Sequence, residues 1–300
     1  MRLLRDNEGR ISEAKGIRSM KTLLLTLFLT VTGIAPAQTP QAHWAKFDNN
    51  KIRYYDIGNT KSKSALVFVH CWTCNANFWN ASYNAFPDYR VIALDMVGHG
   101  ESDKPRANYS MDYFAKSVEA VIRDAGVKKV VLVGHSMGTP VIRQFYRLYP
   151  DQVAGLVIVD GALRPFGPKE QIEKFFEPMF SHYSEQAPRF IEGILGTAPT
   201  ELKTRVKTEM LKTPDYVATG AMRGMMEESI YAPDKINVPV LAILATSSFG
   251  QQKDIEPFLR SLAPNLELRM WDGVSHFLMM ERPKEFNDEL RSFIKQKNLL

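Results

Sequence analysis

Six short apolar-rich runs recur along the chain, at Ala65–Val69, Val91–Leu94, Val130–Val133, Leu156–Val159, Val240–Leu244 and Leu266–Trp271. They are too short for buried helices, and most lack the strict alternation of a strand with one wet face. Such runs fit strands covered by helices on both faces, the environment of a parallel sheet. The intervals carry helical spacing. Met111–Ala125 reads as a helix with Ser110 as N-cap and Gly126 just past its end, and Pro140–Tyr149 and Pro283–Lys297 share the period. Upstream, Trp44–Phe47 and Ile52–Asp56 flank Asp48-Asn49-Asn50, a hairpin signal. The predicted fold class is therefore α/β, with a mostly parallel central sheet flanked by helices.

One interval breaks the rhythm. Residues 162–235 separate two strands by far more than a normal crossover, and a structureless loop of that length is implausible. Apolar residues recur there at helical spacing: Phe175, Phe176, Met179 and Phe180, then Phe190, Ile191, Ile194 and Leu195, then Met222, Met225 and Met226. The economical reading is an inserted helical cap over 162–235, with the core formed by 38–161 and 236–300.

The first 37 residues read as an address. Lys21 precedes an apolar run from Leu23 to Ile34, and Ala35-Pro36-Ala37 supplies a small-x-small ending. That is the layout of a secretory signal cleaved after Ala37, with Met20 as the candidate start and a mature chain of 38–300. The run is shorter than the roughly 20 residues a spanning helix needs, so a cleaved signal is favoured over an uncleaved anchor. A secreted or periplasmic product with no stable membrane span follows. The formal net charge is +5, but residues 1–37 hold six Lys/Arg against three acids, and the remainder carries only +2. Charge therefore gives no reason to expect a nucleic-acid partner.

The strand Val130–Val133 runs directly into Gly134-His135-Ser136-Met137-Gly138, after which helical spacing resumes. G-x-S-x-G in a strand–turn–helix setting presents a serine hydroxyl on a sharp bend. A Cβ at either glycine would collide with neighbouring backbone. The turn also brings the Met137 amide to a helix start, where a free N–H can face a developing oxyanion.

With Val67-Phe68-Val69-His70, Asp95-Met96-Val97-Gly98-His99-Gly100-Glu101-Ser102 and Gly273-Val274-Ser275-His276-Phe277, the elbow completes an ordered set of motifs. In these the chain resembles the α/β-hydrolase fold superfamily over essentially the whole mature length. The resemblance implies Ser136 as nucleophile, His276 as general base, and the backbone amides of Trp72 and Met137 as oxyanion donors. It implies bracing roles for His70, His99 and His135. His43 and His182 read as surface residues.

Two departures stand out. The glycine usual before the second oxyanion donor is Cys71, which forms Cys71-Trp72-Thr73-Cys74 with Cys74. A metal site is not expected there, because no second ligand pair stands nearby. A small disulfide and a pair of free, partly buried thiols are the two readings. The usual slot for the triad acid, after Val240–Leu244, reads Ala245-Thr246-Ser247-Ser248-Phe249-Gly250 and holds no carboxylate. Asp160, directly after Leu156–Val159, is the favoured acid. Asp254 is the alternative, although it also reads as a helix N-cap, and an acid-free site is the third option.

These residues imply acyl transfer to Ser136 with no cofactor. The favoured substrate is a small carboxylic ester bearing an apolar acyl or alkyl group, seated among the Phe and Met residues of the cap. Lactone, amide or carbon–carbon bond hydrolysis and cofactor-free haloperoxidase-like chemistry use the same side chains. Relatives with an Asp nucleophile are disfavoured by Ser136. A small-ligand binding protein on a hydrolase scaffold is the alternative of another class.

Overall fold

A computed structural model describes residues 40–165, 167–247 and 255–300. The leader reading of residues 1–37 and the carboxylate of Asp254 lie outside the described residues. Eight strands form one sheet in the order β1-β2-β4-β3-β5-β6-β7-β8. They are β1 Ala42–Phe47, β2 Asn50–Gly58, β3 Ser64–Val69, β4 Arg90–Leu94, β5 Lys129–His135, β6 Val153–Val159, β7 Val240–Ala245 and β8 Leu266–Trp271. The hairpin β1–β2 joins β4 antiparallel, and the strands from β4 through β8 run parallel. Every residue of β4 and β7 is buried, as expected of strands covered on both faces.

The long helices are α1 Met111–Asp124, α2 Gly138–Leu148, α3 Lys169–Ser181, α4 Tyr183–Leu195, α5 Thr200–Met210, α6 Asp215–Met225, α7 Ile255–Leu262 and α8 Pro283–Lys297. The Ser110 side chain accepts from the Tyr113 amide and caps α1, while Gly126 takes a φ of +66° just beyond its end. Four helices, α3 to α6, lie between β6 and β7. In α3, Phe176 and Met179 are buried, whereas Phe175 is 57% exposed. A step of one residue turns a side chain by about 100° around a helix, which carries Phe175 off the apolar stripe. No helix among the described residues is long and apolar enough to cross a membrane.

The loop after β4 is held by one carboxylate. Asp95 is fully buried and accepts from the Ala76 amide at 2.7 Å and the Glu101 amide at 2.8 Å. Its other contact is an ion pair with Arg53, Nε to Oδ2 at 2.8 Å. Gly100 lies against the same group at φ +51°, and a Cβ there would strike the carboxylate. The D-x-x-G-H-G-x-S motif is thus a structural staple joining β2, β4 and the turn after β3.

Removing that carboxylate leaves a nearly buried guanidinium, a buried amide and a part-buried amide without their partner. Asp95→Ala is expected to destabilise the fold by about 3–5 kcal/mol, read from urea unfolding curves.

Candidate active site

Strand β5 ends in a turn too tight for ordinary residues. Ser136 holds φ at +53°, its amide donates to Val159 O at 3.0 Å, and its carbonyl accepts from the Thr139 amide at 2.9 Å. A Cβ at Gly134 would run into the carbonyl of Gly138, and one at Gly138 into the carbonyl of Val69. The left-handed conformation of a non-glycine residue is strained, and the surrounding strands and α2 hold it in place. Gly161 is a further requirement that sequence reasoning did not identify. A Cβ there would overlap the hydroxyl of Thr139, so the end of β6 can approach the turn only as glycine.

Asp160 sits at the end of β6 with φ +43° and a side chain shielded from solvent. Its amide donates to Ile243 O at 2.9 Å, and its Oδ1 accepts from the Ala245 amide at 2.8 Å. Oδ2 lies 2.6 Å from Nδ1 of His276. A carboxylate oxygen accepts, so in the neutral ring with this contact Nδ1 carries the proton and Nε2 keeps its lone pair. Ser136, Asp160 and His276 line one cavity.

His276 differs from the other core histidines in exposure. Its side chain is 13% exposed, whereas His70, His99 and His135 are completely buried. His135 Nε2 donates to the carbonyl of His276 at 2.8 Å, which ties the residue before Ser136 to the loop after β8. Its Nδ1 is buried with no partner among the described residues, and burial pushes its pKa well below 6.5. His70 donates from Nδ1 to Cys71 O at 2.8 Å and accepts at Nε2 from the Met96 amide at 2.9 Å. That pattern requires the neutral ring, and burial lowers its pKa to about 4. His99 is pushed down to about 3, first by burial and then by the neighbouring His70. His43 and His182 are exposed.

The loop after β3 is pinned from three sides. Cys71 and Cys74 are joined by a disulfide with a Cα–Cα distance of 5.2 Å, and Thr73 between them holds φ at +56°. The Trp72 indole donates to Ala218 O of α6 at 2.7 Å, and the Thr213 hydroxyl donates to Thr73 O at 3.1 Å. The helical segment between β6 and β7 therefore clamps the backbone that carries the Trp72 amide. Neither the Trp72 amide nor the Met137 amide has a hydrogen-bond acceptor among the described residues. No cluster of His, Cys, Asp or Glu among those residues is arranged to hold a metal ion.

The cavity has a volume of about 80 Å³ and an apolar roof that includes Phe176, Phe190, Ile194, Met222 and Met225. Tyr231 and Ile255 also reach it, and no sequence motif marked either one. A hydroxyl, an imidazole polarised by a carboxylate and two unengaged amides can together carry out acyl transfer.

The buried neutral histidines set an acid limit on stability. An unfolded histidine takes up a proton near pH 6.5, while folded His70 resists until about pH 4. Stability is therefore lost as pH falls through that window, by up to about 3 kcal/mol from His70 alone. Urea midpoints between pH 7 and pH 4 are expected to fall, and His70→Asn is expected to flatten the dependence.

A profile of the alpha/beta hydrolase fold family matches residues 64–198. An uncharacterized protein of Mycobacterium tuberculosis is 35% identical over 263 residues, covering 78% of this chain and 76% of that protein. A bifunctional esterase/perhydrolase of Acinetobacter calcoaceticus is 26% identical over 274 residues, covering 83% of this chain and 97% of the relative. Among solved structures, the N-acyl homoserine lactone degrading enzyme Est816 superposes with a TM-score of 0.71 at 26% identity, over 84% of this chain and all of its own. The sheet order, the serine elbow and these likenesses agree: the chain belongs to the α/β-hydrolase fold family and is an α/β-hydrolase enzyme.

Proposed function

We propose that the protein hydrolyses small carboxylic esters through an acyl-enzyme on Ser136. The observation that carries the reading is the 2.6 Å contact between His276 Nδ1 and Asp160 Oδ2 in the cavity that Ser136 also lines. In this reading His276 Nε2 takes the Ser136 hydroxyl proton as Oγ attacks the ester carbonyl carbon. Asp160 holds the ring in the tautomer with Nε2 free and stabilises the imidazolium that forms. The carbonyl oxygen becomes an oxyanion facing the Met137 and Trp72 amides. Collapse breaks the ester C–O bond, and the departing alkoxide receives the imidazolium proton. Water, deprotonated by the same nitrogen, then attacks the acyl-enzyme and releases the carboxylic acid and Ser136. Asp254 is not needed for this arrangement.

The same reading places the chain outside the cytoplasm. Support comes from the leader-like run before Ala37 and from the Cys71–Cys74 disulfide, a bond that persists in oxidising compartments. A second chemistry is favoured by the relative named esterase/perhydrolase: hydrogen peroxide in place of water would release a peracid from the acyl-enzyme. Peracid formation on adding peroxide to an ester assay distinguishes the two.

Ser136→Ala is expected to lower turnover of p-nitrophenyl butyrate by at least about 10³-fold and to abolish fluorophosphonate labelling of the peptide that contains residue 136. Label recovered on another serine would overturn the nucleophile assignment. Asp160→Asn keeps the acceptor for the Ala245 amide but offers an N–H to His276 Nδ1, which forces the opposite tautomer. Turnover is expected to fall by about 10⁴ with the melting temperature nearly unchanged. Wild-type activity in that variant would remove Asp160 from the mechanism.

A further inference from the structure

The reacting cavity is small for its family of substrates. At about 80 Å³ it is roughly half the size of a 150 Å³ void that accommodates benzene. Next to it, and open to solvent on one side, lies a second chamber of about 330 Å³ lined by the helices between β6 and β7 and the loops that flank them. The two share Pro165, Phe176, Met222, Met225 and Tyr231 as lining residues. Ile172 and Met226 line only the second chamber, and the exposed residues Lys169 and Glu228 stand where it meets solvent.

The partition is made largely of side chains that can yield. Met222 and Met225 each have three flexible torsions and a polarisable sulfur, so they repack around an inserted chain at little cost. The chamber is also walled by Ile172, Phe176 and Met226, and its charged lining residues, Lys169 and Glu228, are the exposed ones, so the apolar wall offers little to a charged or strongly hydrated group. The shared wall with the serine cavity and the apolar side chains on that wall suit a hydrocarbon chain.

We propose that this second chamber binds the distal, unbranched hydrocarbon half of the substrate's acyl group, so that the preferred ester carries a medium-length acyl chain. The inference rests on the ester-hydrolase reading above and adds the substrate class. The short polar centre of the ester sits beside Ser136 and His276, and the chain passes the Met222–Met225 wall. Each methylene buried in the chamber raises kcat/KM until the space is filled. The expected gain is up to about fourfold per methylene, the factor that corresponds to its transfer from water.

The test is a p-nitrophenyl ester series from acetate to dodecanoate, run on wild type, Ile172→Trp, Met226→Trp and Ser136→Ala. Wild type is expected to gain at least about tenfold in kcat/KM from acetate to octanoate. Each tryptophan should fill the chamber and remove most of that gain while acetate turnover stays within about twofold. Calorimetry on Ser136→Ala should report tighter binding of the octanoate ester than of the acetate ester, and Met226→Trp in that background should cancel the difference. A flat or falling chain-length profile in wild type would overturn the chamber assignment, with Ser136-dependent acetate turnover leaving the hydrolase reading intact. So would retention of the octanoate preference in both tryptophan variants. Absence of Ser136-dependent turnover on every ester would remove both.

Discussion

Three parts of the sheet meet at the carboxylate of Asp160. Its backbone is bonded to Ile243 of β7, one oxygen accepts from Ala245 at the end of that strand, and the other faces His276 beyond β8. Burial makes the arrangement stringent. A shielded carboxylate that lost either partner would carry an uncompensated charge, so the ends of β6 and β7 and the loop after β8 are held in one geometry. The imidazole is oriented by the same contact that secures the strands, and the chemistry we propose depends on a feature the fold also needs.

Backbone strain collects around that carboxylate. Ser136, Asp160 and Thr73 all adopt left-handed φ values, and each lies in a segment lining the cavity or beside it. Such conformations persist only where surroundings over-determine them. For Ser136 the surroundings are Gly134, Gly138 and Gly161, whose missing Cβ atoms allow β5, β6 and α2 to approach. For Thr73 they are the Cys71–Cys74 bond, the bond from the Trp72 indole to Ala218 O, and the bond that Thr73 O accepts from the Thr213 hydroxyl, with Ala218 and Thr213 both in the helical segment between β6 and β7. Those helices thus contribute to the rigidity of the loop as well as roofing the cavity.

The four core histidines illustrate how one residue type divides into different tasks. His70, His99 and His135 are wholly buried, donate to backbone carbonyls and are driven toward the neutral form by desolvation. His276 keeps an edge on the cavity and a carboxylate on the opposite nitrogen. A proton carrier needs that combination: a route for the proton and a partner for the charge. His135 has neither, although it is adjacent to Ser136 in sequence, and its hydrogen bond to the His276 carbonyl gives it a bracing function.

Much of this was legible in the sequence because it is local. The continuous apolar runs of β3 to β7 reflect burial on both faces, and the glycines around Ser136 reflect a turn that tolerates no side chain. The motif around His276 marked the candidate base for the same reason: its loop is short and its residues are specific. The acid was different. Asp160 and Asp254 were both reasonable in sequence, and only the packing of β6 beside β7 brings Asp160 to His276. Gly161, Tyr231 and Ile255 carried no signal because their importance comes from neighbours far away in the chain. The sequence by itself determined the strands, the elbow and the chemistry of its side chains, since these depend on period and local sterics. Tertiary structure alone decided which carboxylate meets the imidazole and how much room lies behind the methionines, since both are distances between segments that no spacing rule connects.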